Sequence, residues 1–327
     1  MCRKKMTKKS FIYPFTTLMM AAIAWMMVSC SSIHEDLPEC DLQVAFKYDY
    51  NMLSADAFHT QVERVELYVF DENGIFLFSR SEEGDALKTG NFRMTLNLDL
   101  GKYMLMAWAG AGVSDSYSLT SFVPGSSKLT DIKLQLKRDA SCIIDRKIGD
   151  LWYGEMMEVT HTGAGQTATI NLIRDTNNIR FVFQGATPDW QIDADAYTYQ
   201  LVESNGYLDY DNSLLDDDRL SYEPYYIKQG NESLVTVEIN TLRLMANMET
   251  RFTVTHKTTG IKVFDINLID FLAMTEMERY KWEAQEYFDR QYEFVIVFYF
   301  NGSPGETGPW VYTMLDVNDW TWYIQHE

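Results

Sequence analysis

At 327 residues the chain is long enough for two domains of ordinary size. It carries 28 Lys plus Arg against 47 Asp plus Glu, and its first 29 residues hold five of those cations and no acid; without them 23 cations face 47 acids, a net charge of −24. A surface of that sign repels nucleic acid and anionic lipid, which argues against both as partners.

The N-terminus carries the strongest signal. Arg3, Lys4, Lys5, Lys8 and Lys9 form a basic segment, and Phe11 to Val28 is uncharged and largely apolar. That is the layout of a secretory signal peptide, so residues 1–29 are set apart from the fold. The segment ends in Met27-Val28-Ser29-Cys30, which resembles a bacterial lipobox, with Met27 where Leu is usual. The Cys30 thiol is expected to take a diacylglycerol, and cleavage then leaves it as an acylated N-terminus. The alternative is a plain transmembrane anchor, for which an 18-residue apolar stretch is near the lower limit. Residues 30–39 read as a short polar tether after the lipid. No later stretch is long and apolar enough to span a membrane.

Of the four cysteines, Cys2 leaves with the signal peptide and Cys30 is acylated. Cys40 and Cys142 remain, in a compartment that permits disulfides. A Cys40–Cys142 bridge would staple the start of the folded body to a distant region, worth up to about 4–5 kcal/mol on loop entropy. Two separate buried thiols are the alternative.

From residue 40 onward, period-two alternation dominates. Leu42, Val44, Phe46 and Tyr48 share one parity; Phe92, Met94, Leu96, Leu98 and Leu100 share another, and so do Thr130, Ile132, Leu134 and Leu136. Each run predicts a strand with one face on a core and one in water. Asp71-Glu72-Asn73-Gly74 predicts a tight turn between Val65–Phe70 and Ile75–Phe78, since Asn-Gly supplies positive φ. Gly101-Lys102 separates two further strands, and Pro124-Gly125 marks a longer loop. Helical signals are few: Ala55 to Gln61 suits one or two turns, and Thr275 to Glu278 reads as a capping box. Arg174 to Asn178 is polar, separates two strands and is the expected domain boundary. Beyond it, Ile179, Phe181, Phe183 and Val235, Val237, Ile239 continue the alternation. Phe294 to Phe300 is apolar on both parities, which predicts a central strand buried on both faces. The fold class is all-β, as β-sandwich domains in tandem over 40–175 and 176–327.

Catalytic chemistry is hard to find. His34, His59, His161, His256 and His326 are scattered singly without metal-ligand spacing, and there is no GxSxG elbow or P-loop in the body. The tract Asp209, Asp211, Ser213, Asp216, Asp217, Asp218 invites a calcium reading, but Leu214 stands where an EF-hand loop needs Gly, so a solvated acidic loop is expected. No cofactor or metal is expected. Eight Trp and 20 Tyr could build a sugar-binding platform, although core and cross-strand pairs account for most such residues.

Several segments resemble one family. Cys40-Asp41-Leu42-Gln43-Val44-Ala45-Phe46-Lys47-Tyr48-Asp49-Tyr50-Asn51 is similar to the opening of FimB-type minor fimbrium anchoring lipoproteins. The similarity continues through Asp56-Ala57-Phe58, Leu67 to Gly74, Gly101-Lys102-Tyr103, Ala107-Trp108-Ala109-Gly110, Trp152-Tyr153-Gly154 and Leu172 to Asn177. It is looser at Tyr287-Phe288-Asp289-Arg290 and Val317-Asn318-Asp319-Trp320. The resemblance implies two transthyretin-like β-sandwiches in an outer-membrane lipoprotein at the base of a strand-exchange pilus, with fimbrial shaft subunits as partners. Strand addition gives affinity through main-chain hydrogen bonds and specificity through alternate side chains. The motif residues look structural: Trp108 and Tyr103 for the first core, Tyr48 and Tyr50 at a strand edge. Ser31 rather than Asp after Cys30 agrees with outer-membrane placement. A surface glycan-binding lipoprotein and a tethered hydrolase are the alternatives, requiring an exposed aromatic cluster and convergent carboxylates or a metal cleft respectively.

The chain closes on Trp310 to Gln325, where Trp320, Trp322 and Ile324 share one parity in a short strand. This strand is either the last of the protein's own second sandwich, or a docking strand for a pilus subunit.

Overall fold

The computed structural model describes residues 41–323, apart from 164, 186–189, 232, 280–281, 301–309, 311 and 319. The signal segment, Cys30, Cys40 and Ile324 lie outside the described residues.

In the first half the alternating runs form β1 (Leu42–Lys47), β2 (Arg64–Asp71), β3 (Phe76–Glu83), β4 (Met94–Leu96), β5 (Gly101–Ala109), β6 (Tyr117–Leu119), β7 (Lys133–Leu136), β8 (Ile143–Ile144), β9 (Trp152–His161) and β10 (Gln166–Arg174). A short helix, α1 (Phe58–Gln61), lies between β1 and β2, inside the segment expected to be helical. The β2–β3 turn is the expected one: Gly74 has φ 74°, and Asp71 Oδ1 accepts from the N–H groups of Asn73 and Ile75.

Seven strands form one sheet in the order β3-β2-β5-β9-β10-β1-β4. The sheet folds over because β10 changes partners along its length. Gln166 to Asn171 run parallel to β1, whereas Leu172, Ile173 and Arg174 pair with Gly154, Tyr153 and Trp152 of β9. A strand that switches sheets turns a corner. Gly154 lets the corner close: a Cβ there would meet Ala107 Cβ at 2.8 Å and Ile170 Cγ2 at 2.9 Å. The folded sheet encloses Leu42, Val44 and Phe46 of β1 against Val65, Leu67 and Val69 of β2. Across β2 and β5, Tyr68, Phe70, Met106 and Trp108 form a second apolar face, covered by Tyr117, Leu134 and Leu136 from β6 and β7. The first half is therefore three layers deep.

The second half contains β11 (Thr176–Gly185), β12 (Tyr197–Glu203), β13 (Tyr207–Asp209), β14 (Leu220–Tyr222), β15 (Tyr226–Asn231), β16 (Leu234–Leu242), β17 (Arg251–His256) and β18 (Lys262–Asn267). It continues with α2 (Leu268–Arg279), α3 (Ala284–Arg290), β19 (Glu293–Phe300), β20 (Tyr312–Val317) and β21 (Trp320–Tyr323). A six-stranded sheet, β15-β16-β11-β19-β20-β21, packs on a five-stranded one, β18-β17-β12-β14-β8. Their shared core is aromatic: the Phe181 and Phe252 rings stack at 3.8 Å, and Phe183 contacts Phe298 and Trp310.

The halves meet between β10 and β11, but strands cross that line in both directions. β8, from the first half, runs parallel to β14 and forms the edge of the five-stranded sheet. In return β13 pairs with β7, Tyr207 opposite Gln135 and Asp209 opposite Lys133. The polar run Arg174 to Asn177 is buried rather than a solvated linker, because its groups are bonded across the junction. Asp175 N–H donates to Leu151 O at 2.8 Å, and Leu151 N–H to Thr176 Oγ1 at 3.3 Å.

Four sequence expectations need correction. β4 stops at Leu96, so Leu98 still reaches the core while Leu100 is 68% exposed. Thr130 lies in a 3-10 turn, Leu129–Asp131, and β7 begins only at Lys133. β19 is central, yet only its even positions are buried; Val295 is 37% exposed because the strand has a core on one face alone. Thr275 falls inside α2 instead of at its start, since the helix begins directly where β18 ends, with Asp270 in its first turn.

Candidate functional site

The densest polar constellation lies at the junction and is built around Arg174, the last residue of β10. Its guanidinium sits between two rings, 4.9 Å from the centroid of Trp152 and 4.1 Å from that of Tyr292. Its Nη1 donates to Gln61 Oε1 at 3.1 Å, its Nε to Thr176 O at 3.2 Å, and its Nη2 to Asp150 Oδ1. An arginine with this many partners and both faces covered has little left to offer a ligand. Tyr48, fully buried beside it, has its phenol pushed up by burial.

The neighbouring Asp175 is completely buried. Burial pushes its carboxyl up to about 7, against the opposing pull of Arg243 and the hydrogen bond that Asn212 Nδ2 donates at 2.9 Å. Arg243 in turn forms a two-pronged bridge to Asp289 of α3, at 2.8 Å and 2.7 Å. One-sided charge burial of this sort is costly unless each charge is paired, and here the pairs tie β10, β16, α3 and the 209–218 loop together. Sequence reading missed this network; its only trace was the similarity at Tyr287-Phe288-Asp289-Arg290.

The acidic tract is a strut. Asp209 pairs with Lys133, Asp217 and Asp218 pair with Arg138, and Asp211 Oδ1 accepts from Ser213 N–H at 3.0 Å. Asp217 is thus buried against the first half rather than solvated. Among the described residues no three His, Cys, Asp or Glu side chains are grouped to hold a metal. Trp108, Trp152, Trp190 and Trp310 are all buried.

Of the sequence-predicted site residues, Cys142 is half-buried beside β8, its carbonyl accepting from Ser221 N–H at 2.9 Å. Its expected partner, Cys40, lies outside the described residues. Trp320 and Trp322 lie in β21, opposite Val317 and Leu315 of β20, and β21 is the outermost strand of its sheet. Among the described residues the segment is thus the edge strand of the protein's own second sandwich.

These features define an all-β protein whose buried polar groups serve its joints. The profile of the fimbrillin-A associated anchor proteins Mfa1 and Mfa2 matches residues 37–326, and the chain belongs to that family. It is 24% identical to the minor fimbrium anchoring subunit Mfa2 of Porphyromonas gingivalis, over 82% of each chain. Among solved structures, a Bacteroides thetaiotaomicron protein named provisionally as polysaccharide-binding is 52% identical, with a TM-score of 0.82 over 88% of this chain and 99% of that one. A second protein of that organism, named provisionally as an adhesin, is 29% identical with a TM-score of 0.77, over 88% of this chain and 100% of that one. The fimbrial anchor protein Mfa2 of P. gingivalis shares the fold at 22% identity and a TM-score of 0.68, over 86% of this chain and 98% of that one. The protein is accordingly a fimbrial anchor-type subunit, associated with the cell surface and with other fimbrial subunits.

Proposed function

We propose that the protein holds a fimbrium to the outer membrane, lipidated at Cys30 and joined through its folded body to the first shaft subunit. The observation that carries this reading is the family match over 37–326 directly behind a basic, apolar leader ending in Met27-Val28-Ser29-Cys30. Acyl chains on one residue give stable attachment, at roughly 0.8 kcal/mol per buried CH₂. The buried, mutually paired polar groups of the junction suit a load-bearing part, and we assign the protein no catalytic role. Cys30→Ala tests the proposal: acyl labelling should vanish, the protein should leave the envelope, and fimbriae should appear in the medium. A mutant still labelled and still in the outer membrane would overturn it.

Polysaccharide binding is the second reading, favoured by the 52% identical relative. Sugar platforms use exposed aromatic rings, and the four tryptophans named above are buried. Titration of purified protein with surface polysaccharides separates the two readings.

A further inference from the structure

We infer that the end of the first half where Leu42, Leu100, Gly101 and Gln166 come together is the face turned toward the bilayer, and that Leu100 touches the lipid surface. The inference rests on lipidation at Cys30. β1 starts at Leu42, opposite Leu96 and Gln166. From Gln166 the nine residues of β10 run to Arg174 at the junction, about 30 Å at the usual strand rise. The twelve residues from Cys30 to Leu42 reach at most roughly 40 Å. Bringing the junction end to the bilayer would use most of that reach in running back along β10, whereas the Leu42 end needs none of it.

The surface at this end fits the assignment. Leu100 is 68% exposed and directly precedes Gly101, which pairs with His161 at the far end of β9. Val123 is 60% exposed in a loop fixed at the same end, where Gly125 N–H donates to Phe76 O at 2.8 Å. With a net charge of −24 on the mature chain, the contact is apolar and covalent rather than electrostatic. The second sandwich then points away from the membrane, toward the side where a shaft subunit would meet it.

The test uses the full acylated chain in phosphatidylcholine–phosphatidylethanolamine vesicles containing nitroxide-labelled lipid. A fluorophore is placed at Leu100→Cys, Leu53→Cys at the junction or Val295→Cys in the second sandwich, with Cys40→Ser and Cys142→Ser as background. All three positions are exposed, so the fold should tolerate them. Quenching should be several-fold stronger at position 100 than at 53 or 295, and unchanged by high salt. Equal quenching at the three positions in an acylated chain, or stronger quenching at 53, overturns the orientation alone. Vesicle binding by a chain without acyl label overturns the anchor at Cys30 and the orientation with it.

Discussion

The guanidinium carbon of Arg174 lies 4.1 Å from the ring centroid of Tyr292, the contact that closes β10 of the first half onto the start of β19 in the second. With Trp152 on its other face and Asp150 and Gln61 at its edge, one side chain joins four segments. Arg174→Ala leaves Asp150 without its partner and opens the space between two rings. It should cost on the order of 2 kcal/mol, mostly from the lost ring packing and the hydrogen bonds to Gln61 and Thr176, since Asp150 is half-exposed. Tyr292→Phe keeps the ring and loses only a hydroxyl that accepts from Gln61 Nε2 at 3.3 Å, so it should cost less than about 1 kcal/mol. Urea unfolding of the two variants checks the ranking; equal losses would mean that the stacking contributes nothing.

Asp175 should make stability depend on pH. Its folded carboxyl binds a proton up to about 7 while the unfolded chain releases it near 3.8. A raised carboxyl stabilises the fold fully below the unfolded value, and that stability is lost as pH rises through 7, up to about 4 kcal/mol. Asp175→Asn keeps an oxygen for Asn212 and removes the charge. The variant should therefore gain on the native protein between pH 4 and pH 8. Thermal melts across that range decide the matter, and a constant difference between the two proteins would refute it.

Much of the first core was legible because alternation reports burial on one face. The inward face of Leu42, Val44 and Phe46 and the β11 and β16 cores followed from it, and the Asn73-Gly74 turn from its positive-φ residues. The same rule fails where a strand's partner comes from the other half. β8 is two residues long and β13 three, too short to show a period, and their pairing is set by the junction. Arg174 to Asn177 looks like a solvated linker by composition, because composition cannot tell a polar group in water from one bonded inside a core. Asp217 misled in the same way, its charge being met by Arg138 from 79 residues away.

The Cys40–Cys142 bridge is open to a direct chemical test. Unreduced peptide mapping of protein from the envelope should recover a linked Cys40–Cys142 peptide pair, a bridge worth up to about 4–5 kcal/mol on loop entropy. Cys40 and Cys142 each alkylated after unfolding without reductant would sink the bridge and leave two separate thiols.

The last prediction concerns the edge strand. Deleting Thr321 to Glu327 removes most of β21, leaving β20 as the outer strand of the six-stranded sheet. β21 belongs to the protein's own sheet, so the deletion should lower the melting temperature. Losing the pairing of β21 with β20 and the large apolar residues of the deleted segment would cost several kcal/mol, on the order of 3. Fimbriae should then be lost from cells only as far as folded protein is lost. An edge strand also invites pairing with another chain, and that gives the competing outcome: an unchanged melting temperature with fimbriae no longer retained. That result would make Trp320 to Tyr323 the strand on which the first shaft subunit docks. A truncation that alters neither melting nor retention would sink both roles for the segment.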